Sequence, residues 1–272
     1  MNAPHHDLST QPSHRPLLVR AHLATGIAHS SSWGIGLDSL LAAELWARHK
    51  ADLRAAGHEP PDLHDTTNPI ELDLPLARCT APEDPDLWHW AATTAYPENR
   101  PTDLPPEVHY WSGRVDHRAA EHLTPALPAI VSDRQGRYRA RRMPLLVTIC
   151  SSVTWTCIGD PDAITDLLSD LPAIGKKRSH GEGQVTSWEI TELPLHLDPA
   201  TNPAPGIYDA WAVAHLHPDR TLGRPTPADC LTNRPVITDG GIGTAGLRPP
   251  YMHRSRQRTL HLPISLDHQA TA

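Results

Sequence analysis

The chain has 272 residues, 39% of them hydrophobic, which excludes a wholly disordered protein and allows one large domain or two small ones. It has no N-terminal apolar leader and no apolar run of bilayer length, so the reading is a cytoplasmic protein without a membrane partner. The formal net charge of −7 does not advertise a nucleic-acid binder, but local potential rather than net charge is what phosphates sense.

Residues 1–15 are polar and rich in Pro and His, and read as a disordered tail. Leu17, Val19, Ala21 and Leu23 then alternate with Leu18, Arg20, His22 and Ala24, the period of a half-buried strand. After a Ser/Gly-rich loop, Asp38 is expected as an N-cap. The helix that follows carries Leu37, Leu41, Leu45, Trp46 and Leu53 on its spacing and stops at Gly57. Residues 58–130 are proline-rich and acidic with little periodicity. Trp88 and Trp90 need a core, so the segment reads as a long insertion with short elements. Residues 108–118 suit a strand or hairpin. Residues 145–158, rich in β-branched side chains, are long enough for two strands. Asp160 and Pro161 open a short helix with Ile164, Leu167, Leu168 and Leu171 on one face. A Gly-rich basic loop then leads into a strand ending near 190.

The predicted order, strand–helix–strand–strand–helix–strand, is the βαββαβ pattern of an α+β, ferredoxin-like (RRM-type) domain, placed at 16–192. A smaller β-rich C-terminal part occupies 193–265, with strands at 211–216, 236–238 and 259–264 and a Gly-rich turn at 239–246. Residues 266–272 form a tail.

Twelve of the 24 lysines and arginines fall in three windows. These are Arg134, Arg137, Arg139, Arg141 and Arg142; Lys176, Lys177 and Arg178; and Arg248, Arg254, Arg256 and Arg258. A single such window is ordinarily a solvated loop; three around a Gly-rich turn point to a polyanion. The central one is the most specific stretch of the chain: Gly175-Lys176-Lys177-Arg178-Ser179-His180-Gly181-Glu182-Gly183. It is not a Walker A loop, because no Lys-Ser/Thr pair opens a helix; it precedes a strand. Its glycines permit positive φ and close approach to a ligand, its cations supply charge, and Ser179 and His180 supply donors. A plain solvated turn remains the competing reading.

These residues resemble the CRISPR-associated RAMP superfamily, whose signature is a Gly-basic-basic-Arg-Ser-x-Gly-x-Gly loop before the fourth strand. The resemblance is closest to the Cas-five-like (Csf-three type) subunit of type IV effector complexes. Gly36 to Ala42 resembles the family's opening of helix one, Cys157 to Pro161 its second helix start, and Leu247-Arg248-Pro249-Pro250-Tyr251 its Arg-Pro-Pro-Tyr element. The resemblance implies a non-catalytic subunit that holds the 5′ handle of crRNA and caps a filament of backbone RAMP subunits. It also implies contact with the large subunit, near where target DNA enters. The RNA-binding residues it implies are Gly175, Lys176, Lys177, Arg178, Ser179, His180, Gly181 and Gly183 of the loop; Arg137, Tyr138, Arg139, Arg141 and Arg142 of a thumb hairpin; and Arg248 and Tyr251.

Two other readings stay open on the residues alone. A metal-independent endoribonuclease processing precursor crRNA could be assembled on paper from His180, Lys177 and Tyr251. A scaffold that binds only protein is disfavoured by the basic windows. Cys79, Cys150, Cys157 and Cys230 form no CxxC pair and no zinc-ribbon spacing, and read as buried thiols in a reducing compartment. His215 and His217 alternate on a predicted strand without a third ligand. No metal, cofactor or catalytic residue is therefore expected.

Overall fold

The computed structural model describes residues 7–29, 31–63, 65, 67, 69–80, 84, 86–98, 106–113, 122, 134–135, 139–194, 209–232, 234 and 239–266. Strand β1 (Asp7–Ser9) lies inside the stretch expected to be a disordered tail, because it has a partner, β4 (Arg78–Thr80), which in turn pairs with β5 (Trp88–Trp90). The main sheet is built from β2 (Arg15–Leu23), β6 (Tyr96–Glu98), β9 (Ser152–Gly159) and β10 (Val185–Glu192) in the spatial order β10-β2-β9-β6. Read along the chain that is fourth-first-third-second, all antiparallel, the ferredoxin-like arrangement.

The predicted order holds, but one strand was misplaced. Residues 145–158 do not supply strands two and three of this sheet. Their first half belongs to β8 (Arg141–Thr148), which pairs with β7 (Glu107–Gly113) and β3 (Ile27–Ala28) in a separate three-stranded sheet. The second strand is β6, three residues within the supposed insertion, too short and too interrupted by Pro97 to show a period.

Helices α1 (Leu37–Ala55) and α2 (Pro161–Ser169) cover one face of the main sheet. Leu17, Val19 and Ala21 of β2, fully buried, pack with Leu37, Leu41, Val153, Trp155, Ile164 and Leu168 in the main core. Each fully buried leucine there stabilises the fold by about 1.5–3 kcal/mol. Trp155 spends its indole N–H on the Ile35 carbonyl at 2.8 Å, so its burial leaves no polar atom stranded.

Asp160 caps α2 as expected, accepting from the amides of Asp162 and Ala163. Gly57 follows α1 with φ +78. Asp38 is not a cap. Gly36 holds that position, and Asp38 is buried in the first turn, where its carboxylate accepts the Tyr251 hydroxyl at 2.6 Å and lies 3.9 Å from Arg224. Asp-Ser at the head of an apolar run looks the same whether the carboxylate serves its own helix or a residue 213 positions away.

The C-terminal part covers the other face of the sheet near Ile158. The strand predicted at 211–216 is helix α3 (Ala210–His215), capped by Asp209, whose side chain accepts from the Ala212 amide. A six-residue apolar run does not distinguish the two periods. Helix α4 (Ala228–Leu231) follows. The Gly-rich stretch at 239–246 ends in β11 (Ile242–Gly246), paired with β12 (Gln257–His261). The strand expected at 236–238 lies outside the described residues. Leu266, assigned to the tail, is buried, and its amide donates to the Ser32 carbonyl. All four cysteines are buried and none is in a disulfide. Among the described residues no helix is long and apolar enough to cross a membrane.

Candidate nucleic-acid interface

The Gly-rich loop is held by its backbone. The turn between β2 and β3 grips it from below: the Lys176 amide donates to the Ala28 carbonyl, the Gly183 amide to the Gly26 carbonyl, and the Thr25 hydroxyl to the Gly181 carbonyl, all at 2.8–2.9 Å. The Ile174 amide closes the loop on the Gly183 carbonyl at 2.9 Å. Two glycines are required by this clamp. A Cβ on Gly175 would stand 2.5 Å from the Ala28 carbonyl oxygen, and one on Gly183 only 1.9 Å from that of Ile174; both residues have positive φ. Close approach is thus to the protein's own backbone at these two positions. Gly181, with φ +91 and open space around its Cβ site, is the one glycine of the three left facing solvent.

The clamp turns the basic side chains outward. Lys176, Arg178, Ser179 and His180 are exposed, and Lys177 is half-buried in the left-handed region at φ 60. Lys177 is half-buried because the β7–β8 hairpin docks against the loop. Its ammonium sits 3.2 Å from the centre of the Trp111 ring, and the Trp111 indole N–H donates to Nε2 of His180. With Nε2 accepting, the His180 proton is on Nδ1, where Ser179 Oγ lies at 3.1 Å. Two strand positions earlier, His109 lies between Glu182 at 2.7 Å and Glu107 at 3.1 Å. The Glu182 carboxylate, then that of Glu107, raises the His109 pKa above the ordinary histidine value.

The hairpin carries the first basic window. Trp111 is opposite Met143, Ser112 opposite Arg142 and Gly113 opposite Arg141, so the arginines lie at the far end of the docked strands. Arg139, Arg141 and Arg142 are exposed. On the face away from the loop, the Arg142 guanidinium covers the Tyr110 ring at 4.3 Å, and Tyr110 itself is 57% exposed. Arg137 and Tyr138 lie outside the described residues. Loop and hairpin therefore bring two of the three basic windows side by side, with Trp111 and His109 between them and Tyr110 on the hairpin's other face. Those three were not picked out from the sequence, although the alternation in Val-His-Tyr-Trp-Ser-Gly is a strand signal that places His109 and Trp111 on one side.

Two arginines of the third window, Arg248 and Arg256, are buried. Arg248 is 6% exposed; it donates to the Asp86 and Trp88 carbonyls at 3.0 Å and stacks on the Trp88 ring. Burial, then the neighbouring Arg256, pushes its pKa down to about 10. Arg256 is also buried and pairs with Glu71 at 3.0 Å. Tyr251 sends its hydroxyl inward to Asp38, and burial together with that carboxylate holds the phenol well above its usual pKa. Arg248 and Tyr251, expected at the RNA, are thus placed in the interior, Arg248 donating through Nη1 and Tyr251 through its hydroxyl to partners within the fold. The Arg-Pro-Pro-Tyr element ties the C-terminal part to the Trp88 strand and the head of α1.

The face of the main sheet away from the two helices, the binding face of an RNA-recognition motif, is also otherwise engaged. Arg20 at its centre is held by Glu98 at 2.8 Å and Glu189 at 2.9 Å, and Thr154 and Thr156 are buried.

A ferredoxin-like sheet, a Gly-rich loop before its fourth strand and a basic strand pair docked on that loop fit the expected resemblance to CRISPR-associated RAMP proteins. Residues 15–198 match the family described as CRISPR type IV associated protein Csf3, and the chain belongs to that family. No curated protein matches the chain. Among solved structures, a chain of the type III-B Cmr-beta complex bound to cognate target RNA is similar at 10% identity and a TM-score of 0.33, over 65% of this chain and 61% of that one.

Proposed function

We propose that this protein is the non-catalytic subunit that holds the 5′ handle of crRNA in a type IV CRISPR effector complex. The observation that carries the reading is the docking of hairpin on loop, which sets the exposed Lys176 and Arg178 beside a strand pair carrying the exposed Arg139 and Arg141, with Arg142 and the exposed Tyr110 ring on its other face. Exposed cations track a phosphate backbone, and exposed aromatic rings accept unstacked bases. In the assembly implied by the family resemblance, the subunit caps a filament of backbone RAMP subunits and meets the large subunit near the target DNA. The protein then acts in the cytoplasm, where the guide is made.

The geometry favours binding over cleavage. A general base needs a free lone pair within reach of a 2′-hydroxyl. Nε2 of His180 accepts the Trp111 indole N–H, and Tyr251, the third member of the catalytic trio drawn from sequence, faces Asp38 in the interior. The deciding experiment incubates the purified chain with labelled precursor crRNA in EDTA. Binding with intact RNA is the expected result. Site-specific cleavage that disappears in His180→Ala would establish the endoribonuclease in its place. An RNA carrying the handle should also bind more tightly than one with the handle scrambled; equal affinities would remove the handle from the proposal.

A further inference from the structure

Away from the RNA surface, four side chains with metal-ligating atoms meet in the interior. Cys79 lies on β4 and His89 directly opposite it on β5; His215 ends α3, and Cys230 lies in α4. The four are between 0 and 2% exposed, and one ligand atom from each lies within 4.8 Å of all the others. We propose that Cys79, His89, His215 and Cys230 bind one structural zinc ion, which clips the C-terminal part of the chain to the β4–β5 hairpin.

Three features of the cluster point to a metal and not to a patch of ordinary core. The Cys79 and Cys230 sulfurs are 3.7 Å apart. Two thiolates at about 2.3 Å from a zinc ion, subtending a tetrahedral angle, stand about 3.8 Å apart. The second feature is the orientation of the histidines, whose Nε2 atoms face each other at 2.8 Å. The Nδ1–H of His215 donates to the Trp211 carbonyl at 2.8 Å, which leaves a lone pair on Nε2 aimed into the cluster. A backbone carbonyl on the far nitrogen is the usual support of a metal-bound imidazole. Nitrogens bound to zinc at about 2.0–2.1 Å stand about 3.3 Å apart, so loading requires the two rings to part by about half an ångström.

The third feature is polar frustration. With the His215 proton on Nδ1, the short contact without a metal requires His89 to donate from Nε2. Its Nδ1, fully buried, has no hydrogen-bonding partner. An ion at the centre turns both Nε2 lone pairs to one use in place of the histidine–histidine contact; the His89 proton then moves to Nδ1, which gains no partner from the ion. The chemistry also selects the ion. Two thiolates and two imidazoles in a closed, buried site are a structural zinc set, and the thiolates cancel the charge of a divalent cation that the interior would otherwise not tolerate.

The ligands come as Cys79 and His89, ten positions apart, and His215 and Cys230, fifteen apart. No short cysteine pair announces them. The ion would add to the arginine–carbonyl bonds that Arg224 and Arg248 make to the β5 strand and to the small apolar contacts of Ala77 and Ala91 with Val213 and Ala214.

The test uses the full chain purified under reducing conditions. Elemental analysis should find about one zinc per chain, and a chelator should lower the thermal midpoint of the wild-type protein. Cobalt(II) replacement should give the intense visible bands of a tetrahedral site together with a thiolate-to-cobalt charge-transfer band. Cys79→Ser and Cys230→Ser should each lose that band and the zinc, whereas Cys150→Ser should keep both. The wild-type measurements stand even where a variant fails to fold. A folded, reduced wild-type chain that takes up no zinc when offered it would overturn the site. So would a cobalt spectrum without the thiolate band, since the chain has nineteen histidines able to hold metal at the surface.

Discussion

Replacing Lys176, Lys177 and Arg178 together with alanine isolates the electrostatic part of RNA binding. The loop conformation survives the change, because the amides of Ile174, Lys176 and Gly183 hold it, not its basic side chains. Each phosphate neutralised on a single strand contributes about −0.7 to the slope of log K against log salt, which at 0.15 M amounts to roughly fourfold in affinity. Lys176 and Arg178 are exposed and available, whereas Lys177 is partly engaged by the Trp111 ring. Two lost contacts lower the slope by about 1.4 and the affinity by roughly fifteenfold; a third contact from Lys177 brings the loss to roughly fiftyfold. Fluorescence anisotropy of a labelled crRNA handle, titrated across a salt series, reads both numbers. A folded triple variant whose affinity and slope equal the wild type's would refute the assignment of this loop to the RNA.

The docking of hairpin on loop makes its own predictions. Trp111→Ala should destabilise the protein by about 1–2 kcal/mol in denaturant unfolding, through loss of the Lys177 cation–π contact and the His180 hydrogen bond. Trp111→Phe, which keeps a ring, should fall between. His109, its pKa raised mainly by Glu182, contributes stability that is complete below the ordinary histidine value of about 6.5 and is lost as pH rises through its raised value. The His109 side chain is 40% exposed, so the effect is small. Glu182→Gln should nevertheless flatten that part of the pH profile of the unfolding midpoint, and an unchanged profile would show that the pair does not couple loop to hairpin. Gly183→Ala should cost at least about 3 kcal/mol, combining a positive φ with a clash against the Ile174 carbonyl; Gly181→Ala, with open space, should cost only the backbone strain of about 1–2 kcal/mol. Equal costs would mean that the backbone clamp is absent.

Local chemistry was legible in the sequence. The alternation in Leu17 to Leu23, the Asp160-Pro161 helix start and Gly57 at the end of α1 each report a preference that one segment settles by itself, and the structure agrees with all three. The family resemblance rested on the Gly-rich loop, where Gly175 and Gly183 are required by close contacts with Ala28 and Ile174. What depended on distant partners was not legible. Asp38 was read as a cap because the buried Tyr251 hydroxyl and Arg224 that claim it lie far along the chain. Arg248 and Arg256 were grouped with the RNA-binding cations because charge alone does not say whether Glu71 and the Trp88 carbonyl will be waiting inside. Trp111 gained its place only when the hairpin folded over Lys177 and His180. Cys79 and His89 became neighbours by strand register, and His215 and Cys230 reached them by tertiary packing. A side chain's type limits what it can bind. Whether it binds solvent, RNA, metal or the fold itself is decided by which partners the chain topology brings within a few ångströms.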